Sequence, residues 1–525
     1  MLAPNPHETS CYIEVMSEDV LSPLIGPTLR IQDRDGLEEF LASPDAESIV
    51  HGSSFEQIFF TVKILGLADA LGLLPMVTPR QVRGFIDLDC WRKDTFDSRP
   101  FMEWVSAFAQ VGPEETVRAL GGVDEFVVAL FLKDSIEVFE IERDEPPPAT
   151  QLIYTPDNRF AARLVRSDNA ATIAGLILDS LFKFDPDLGY IMLRNVRYLT
   201  RTDLEETAYE NKTRRLDIHG FVDYYEALSI YSDPESTETV AVPREADPAT
   251  DAIPGEPPPQ PLPSVFAESL RGGEFLLDAL GRVREQNSER LADELTALGN
   301  RILSANLVNL GEVESVRPAL EEMRDFLTIG LQHLSGDDPA SPPRVLKTHH
   351  VQTVFKSGFN QLAQLRDQAE QMARFPSFTT ELLESPDREF VNGVKRFKPL
   401  LWESGAYRNF QTLSDIRSAT VRLEGIRTMA EGFLRLFASS ETTLRKTFNT
   451  ALVRQSVSGK FEPVPLEAGE LEGFLDGGVE FPEIALPEEL EPFRTSWLEE
   501  LRAELEPLVG QKIDPRYVDS VLMRR

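Results

Sequence analysis

Apolar side chains recur along this chain at steps of three and four residues, the spacing that lays them on one face of an α-helix. Phe55, Ile58, Phe59, Val62 and Leu65 make one such face. Leu291, Leu295, Leu298, Ile302 and Ala305 make a second, and Phe355, Leu362, Leu365, Ala369 and Met372 most of a third. The strongest stripe is Ile416, Ala419, Leu423, Ile426, Ala430, Phe433 and Phe437, whose steps alternate three and four as in a heptad seam. A seam of that length packs inside one chain's bundle or pairs with a second chain. Helix starts are legible too. Thr78-Pro79-Arg80-Gln81 has a capping threonine, a proline at the first helical position and a glutamine placed to close a capping box. Gly112-Pro113-Glu114-Glu115 opens another helix, and Asp124 can cap the apolar stretch that ends near Glu140.

One stretch breaks the helical period. Gln151 to Val165 sets two short runs around Thr155-Pro156-Asp157-Asn158, which predicts a β-hairpin near 151–165. The expected fold is therefore mainly α: stacked helical pairs in a superhelical array with one small β-hairpin, linked to a C-terminal bundle that is helical throughout. The link is the stretch 232–263, with nine prolines, seven acidic side chains, one basic one and no aromatic. So little apolar surface cannot offset chain entropy, and the stretch reads as an acidic proline-rich linker. Residues 1–231 are then an N-terminal helical domain, and 264–525 a C-terminal one with an acidic tail region at 461–506.

Composition narrows the functions open to the chain. It has 525 residues, 53 basic and 87 acidic side chains, and a formal net charge of −34. Such a charge opposes binding to nucleic acid or an anionic membrane and suits basic or neutral protein partners. The excess is uneven: residues 351–450 carry 14 basic and 11 acidic groups, a net of +3, and 451–525 carry 8 and 16, a net of −8. Two cysteines fit a reducing compartment and exclude a disulfide framework. The longest apolar run, Phe126 to Leu132, falls far short of the roughly 20 residues that span a bilayer. The N-terminus lacks the basic start and apolar stretch of a secretory signal, so a soluble, cytoplasmic protein is expected.

Candidate chemistry is sparse. The phosphate-binding loop, the G-x-S-x-G elbow, the H-E-x-x-H helix and C-x-x-C are all absent from the sequence. No cofactor and no metal site is expected. Adjacent His349 and His350 would diverge by about 100° on a helix and so cannot easily chelate one ion. Two polar clusters stand out. Asp87, Asp89 and Asp94 lie around Cys90, Trp91 and Arg92 and could offer oxygens to a hard cation; Arg92 and Lys93 could equally neutralise them. Arg215, His219 and Asp223 could bind an anion or move a proton, or close a helix in a turn with satisfied hydrogen bonds. A site joining Asp87, Asp89, Arg92, Arg215, His219 and Asp223 requires both segments to meet in one cleft. Farther on, Lys395, Arg396, Lys398, Trp402 and Arg408 interleave bases with aromatics, a pattern able to stack on nucleic acid or to sit as a solvated helix end.

Three runs carry a resemblance. Residues 55–94 (FEQIFFTVKILGLADALGLLPMVTPRQVRGFIDLDCWRKD), 220–228 (GFVDYYEAL) and Val351 through Leu401 resemble an uncharacterised bacterial family known only as a domain of unknown function. That resemblance implies a bacterial cytoplasmic protein and assigns no catalytic residue. Leu67 to Leu74, Pro75 and the capped helix at 78–88 are also similar to the helical cytoplasmic domain of MgtE-type magnesium transporters, which implies stacked-helix architecture and not transport. The leading expectation is a non-enzymatic scaffold or adaptor that binds other proteins. The alternative is an enzyme or a ligand or metal sensor using the six-residue polar cluster.

Overall fold

The computed structural model describes residues 31, 33–144, 152–165, 168–232, 262–283, 288–372, 374, 378–437 and 442–524. It is mainly α, with small sheets of two or three strands. Contacts divide it into two compact units, Met1–Ser357 and Gly358–Arg525. The division does not fall at the proline-rich stretch. Residues 233–261 lie outside the described ones, but helices from before and after them belong to the same first unit.

The first unit opens with α1 (Arg34–Leu41), α2 (Ala46–Gly52) and α3 (Phe55–Leu65). The periodicity predicts one buried face for α3, yet every residue from Phe55 to Val62 is buried, Glu56, Gln57 and Thr61 included. Partners on several sides explain this. α4 (Pro79–Asp89) packs on α3, starting at the expected capping box: Gln81 N–H donates to Thr78 Oγ1 at 3.2 Å, and Thr78 N–H to Gln81 Oε1 at 2.8 Å. A two-residue hairpin follows, β1 (Trp91–Arg92) against β2 (Thr95–Phe96), turned through Lys93 at φ 58°. Next come α5 (Ser98–Val111), α6 (Pro113–Gly122) and α7 (Glu125–Lys133), with α6 packed on α4 and α5.

The apolar stretch after Asp124 is not one helix to Glu140. α7 stops at Lys133, and Ile136–Glu140 forms β3, where Ile136 and Val138 are buried and Glu137 between them is exposed. That alternation is a strand's period of two, hidden in sequence by the apolar run before it. β4 (Leu152–Tyr154) and β5 (Phe160–Leu164) form the expected hairpin, in register Tyr154 opposite Ala161, and β3 pairs with the other edge of β5. The hairpin is thus part of a three-stranded sheet. Helices α8 (Asn169–Phe184), α9 (Pro186–Tyr198), α10 (Arg201–Asp217) and α11 (Tyr224–Leu228) follow.

Beyond the proline-rich stretch, α12 (Ser264–Leu270), α13 (Glu274–Gly281), α14 (Ser288–Ala305), α15 (Val313–Ser335) and α16 (Pro342–Thr348) complete the first unit. α12 and α15 return to α3, with the Phe266 ring 6.1 Å from that of Phe60. The expected stripe on α14 is buried along its length. Helix α17 (Val351–Met372) holds the stripe from Phe355 to Met372, also buried.

The second unit is not helical throughout. After α18 (Asp387–Val394), β6 (Leu400–Glu403) pairs with β7 (Ala406–Asn409) across a two-residue turn, Ser404 at φ 52° and Gly405 at φ 86°. Two successive positive φ values match the twist of a tight hairpin, and Ser-Gly was the signal for it. α19 (Leu413–Leu436) follows, then α20 (Leu444–Ser458), α21 (Ala468–Asp476) and α22 (Glu491–Leu505). All seven residues of the heptad seam, Ile416 through Phe437, are buried. Among the described residues no helix is long and apolar enough to cross a membrane.

Two neighbouring glycines at the end of α6 give a sharp test of this packing. A Cβ on Gly122 would lie 2.3 Å from the Pro79 carbonyl oxygen, whereas one on Gly121 meets nothing within 4 Å. Gly122→Ala should cost about 1–3 kcal/mol, since backbone must move. Gly121→Ala should be neutral or stabilise by about 0.5–1 kcal/mol through helix propensity. Urea unfolding of both variants reads the difference; equal effects would contradict the close approach of α6 to α4.

Candidate functional site

The end of α4 supplies the first cluster. Asp87 and Asp89 are two residues apart on a helix, hence about 200° apart around its axis, and they serve different partners. Asp87 accepts two hydrogen bonds from Arg215 of α10, Nε to Oδ2 at 2.7 Å and Nη2 to Oδ1 at 2.8 Å. The remaining Arg215 nitrogen, Nη1, donates to Asp124 Oδ2 at 2.7 Å while Asp124 Oδ1 caps α7. Burial pushes the Asp87 carboxyl above the usual carboxylate range, and Arg215 offsets this only in part. Asp89 instead faces α3 and α5, accepting from Lys63 Nζ at 2.5 Å and Trp104 Nε1 at 2.8 Å. Cys90 is buried, and desolvation together with Asp89 pushes its thiol well up, which suppresses the thiolate.

The second cluster closes α10. His219 lies in the turn after it, Nδ1 3.2 Å from Glu56 Oε1 and its ring edge-on to Phe55 at 4.7 Å. Gly220 follows at φ 86°, where an added Cβ would meet the Ala297 carbonyl oxygen at 2.7 Å. Only glycine fits both the conformation and the approach. Asp223 then caps α11, accepting from Tyr225 N–H at 2.9 Å.

The six polar residues do not converge as one cluster. Asp87 and Arg215 meet; Asp89 and His219 are held by separate interior partners. Asp87, Arg92 and Asp223 do share the wall of a groove of about 680 Å³. Its sides are the β1–β2 hairpin, α10, α11 and the segment joining α14 to α15. Glu205 of α10 accepts from Phe96 N–H at 3.0 Å, which anchors the hairpin side. Arg92 stands at the exposed rim, 3.8 Å from Asp97. Among the described residues no group of three His, Cys, Asp or Glu is placed to hold a metal ion.

Lys212 of α10, not among the expected site residues, lines the same groove. Lys212 Nζ lies 5.3 Å from the Trp91 ring centroid and 5.1 Å from that of Tyr209. Desolvation lowers its pKa to about 8, with Asp87 and Asp94 pulling back. A signal existed: Leu204, Ala208, Lys212 and Leu216 follow at steps of four, so the lysine sits on the apolar face of α10.

In the second unit the basic and aromatic residues gather at the β6–β7 hairpin. Lys395 and Arg396 follow α18, and Arg396 stacks 4.2 Å from the Tyr407 ring. Trp402 sits edge-on to Tyr407 at 4.8 Å. Arg408 donates to Glu403 Oε2 at 2.7 Å and to both Asp415 oxygens at 3.2 Å, so its charge is answered. Arg422, on the same depression of about 550 Å³, donates to Asp387 Oδ1 at 2.8 Å. Lys398 has an interaction partner as well. Carboxylates beside these arginines weaken the attraction a nucleic-acid backbone would feel.

Residues 28–524 match the family of unknown function DUF6178, and the chain belongs to that family. No curated protein and no solved structure matches the chain.

Arg215→Met should test the first cluster. It leaves the carboxylates of Asp87 and Asp124, 3% and 7% exposed, without their shared counter-charge. A loss of about 3–5 kcal/mol is expected near neutral pH. The sign with pH follows from Asp87. A carboxyl raised in the folded state favours folding below its unfolded pKa and loses that contribution as pH rises through the folded value. Removing Arg215 raises it further, so the loss should be greater at pH 8 than at pH 5. Urea unfolding at both values checks this; an equal loss would mean that charge on Asp87 is not the cause.

Proposed function

We propose that this chain is a non-enzymatic helical scaffold or adaptor that binds a protein partner through the face formed by the end of α10, the turn after it and α11. The observation that carries the reading is apolar exposure at a rigid place. Ile218 is 74% and Tyr225 80% exposed, although Gly220 and the Asp223 cap fix the backbone between them. Exposed aromatic and branched side chains with a polar rim are what interfaces bury. The rim is acidic: Glu210, Asp217, Asp223 and Glu226 line a second groove of about 430 Å³ with Arg214. A basic segment on the partner is favoured, in keeping with a chain of net charge −34. A cytoplasmic location belongs to the same proposal and is supported by the scarcity of cysteine.

A second reading, a site for a small ligand, is favoured by one observation. The 680 Å³ groove combines apolar walls with Asp87, Arg92, Asp223 and Lys212. The likeness to the cytoplasmic domain of MgtE-type transporters bears only on a proposed stacked-helix shape. Part of the run that carries it, residues 70–76, forms two short 3-10 turns.

Affinity capture with the full chain tests the adaptor reading. A stoichiometric partner should be recovered and should weaken with added salt. The double variant Ile218→Asp/Tyr225→Ala should lose it about tenfold or more, with unfolding free energy changed by no more than about 0.5 kcal/mol, as for surface sites. Recovery of chaperones alone, or undiminished capture by the variant, would sink the proposal.

A further inference from the structure

The groove beside the proposed docking face holds an amine whose surroundings are unusual for a lysine. Lys212 enters from α10 on the side that α10 otherwise buries, beside the contacting rings of Trp91 and Tyr209, whose centroids are 5.8 Å apart. Its ammonium makes no hydrogen bond or ion pair among the described residues. The nearest buried carboxylate, Asp87, already receives two hydrogen bonds from Arg215. Lys63, by contrast, is spent on Asp89.

The charged groups that share the groove with Lys212 come from α4, the hairpin and the start of α11, while the residues from α14 and the segment after it are uncharged. Asp87 approaches from α4; Arg92, Lys93 and Asp94 from the hairpin; Asp223 from α11. Acidic and basic residues are equal in number, Asp87, Asp94 and Asp223 against Arg92, Lys93 and Lys212, so the walls carry no net charge that selects an anion. The apolar part is broad: Trp91, Tyr209 and Tyr224 on one side, Leu303, Val308 and Leu310 on the other. A neutral ligand with a flat apolar body fits this lining better than a carboxylate or a phosphate.

We propose that Lys212 is a nucleophilic amine that forms an imine with an aromatic aldehyde or ketone seated in the groove against the wall that Trp91, Tyr209 and Tyr224 line. The nitrogen lone pair attacks the carbonyl carbon and the C=O π bond opens to a carbinolamine. Both nitrogen protons then leave with the former carbonyl oxygen as water, and a C=N bond remains. The step consumes no oxidant or reductant. Tyr209, Tyr224, Asp94 and Asp223 are among the residues that line the groove, and such side chains can relay the protons. Desolvation supports the same role: with a pKa near 8 in place of 10.5, the free-amine fraction at pH 7 rises by roughly two orders of magnitude.

The full-length chain is treated with benzaldehyde and sodium cyanoborohydride, which reduces the imine to a stable benzylamine, and labelled lysines are located by peptide mass spectrometry. Lys212 should be labelled at pH 7 at least about tenfold faster than exposed Lys93 and Lys460, and its rate should level off above about pH 8. Lys212→Arg should abolish that label and leave far-ultraviolet circular dichroism unchanged. A Lys212 rate no greater than those of Lys93 and Lys460, or one still climbing past pH 9.5, overturns the proposal. The unmodified chain carries the decisive comparison, so a variant that misfolds does not blunt it. The inference is independent of the adaptor reading, because partner capture by Lys212→Arg should be unaffected.

Discussion

The first unit is organised by the burial of α3 on every side. An eight-residue run from Phe55 to Val62 with no exposed face cannot be covered by one neighbour, so α4, α12 and α15 all pack against it. Apolar burial alone would fix this loosely, since the hydrophobic effect has no direction. Polar groups on and around α3 supply the direction. Gln81 of α4 donates to the carbonyls of Val50 and Ser53 at 2.7 and 2.8 Å, which locks the start of α4 to the end of α2 just before α3. Lys63 at the other end of α3 reaches Asp89 at the end of α4. Glu56 meets His219 and so ties the turn after α10 to the same helix. Each of these would be costly if left unpaired in the interior, which makes the arrangement specific.

Much of this was legible along the chain, and the limits have physical causes. The capping box at Thr78 and the seam from Ile416 to Phe437 were readable because their determinants are local: a side chain and a backbone group three residues apart, or one face of one helix. The strand Ile136–Glu140 was hidden because it follows an apolar helix without a glycine or proline between them. The total burial of α3 could not be read either, since helices more than 200 residues later supply two of its neighbours. The same holds for the site. Asp87, Arg92 and Asp223 were named from local density of charge, but their sharing of one groove depends on how α10 crosses α4. Lys212 carried the one usable signal, a charged residue in the apolar stripe of α10.

A chain with 87 acidic side chains must place many carboxylates near one another, and its arginines show how the repulsion is contained. Arg215 serves two at once, Asp87 and Asp124, with three nitrogens. In the second unit Arg445 lies 2.8 Å from Glu500 and 2.6 Å from Glu504. Arginine suits this work because its planar fork presents several donors in fixed directions, where an ammonium is a point charge. Arginines are thereby consumed by structure, and the surface that remains is acidic. That surface, with its few exposed apolar side chains, is what a basic protein partner would meet.

Against that pattern Lys212 is an exception. Desolvating an ammonium without a paired carboxylate is unfavourable, and ring faces about 5 Å away return only part of the loss. A smaller apolar residue at position 212 would continue the stripe of Leu204, Ala208 and Leu216 and remove the cost. An Asp87 free to pair with the lysine would remove it too, but Arg215 holds that carboxylate on both oxygens. Where local choices throughout a protein agree with its fold, a costly departure inside a lined groove marks a place retained for chemistry or binding rather than for stability. The departure here is a desolvated amine beside a pair of aromatic rings, and a carbonyl is the group whose reaction with such an amine needs no other reagent.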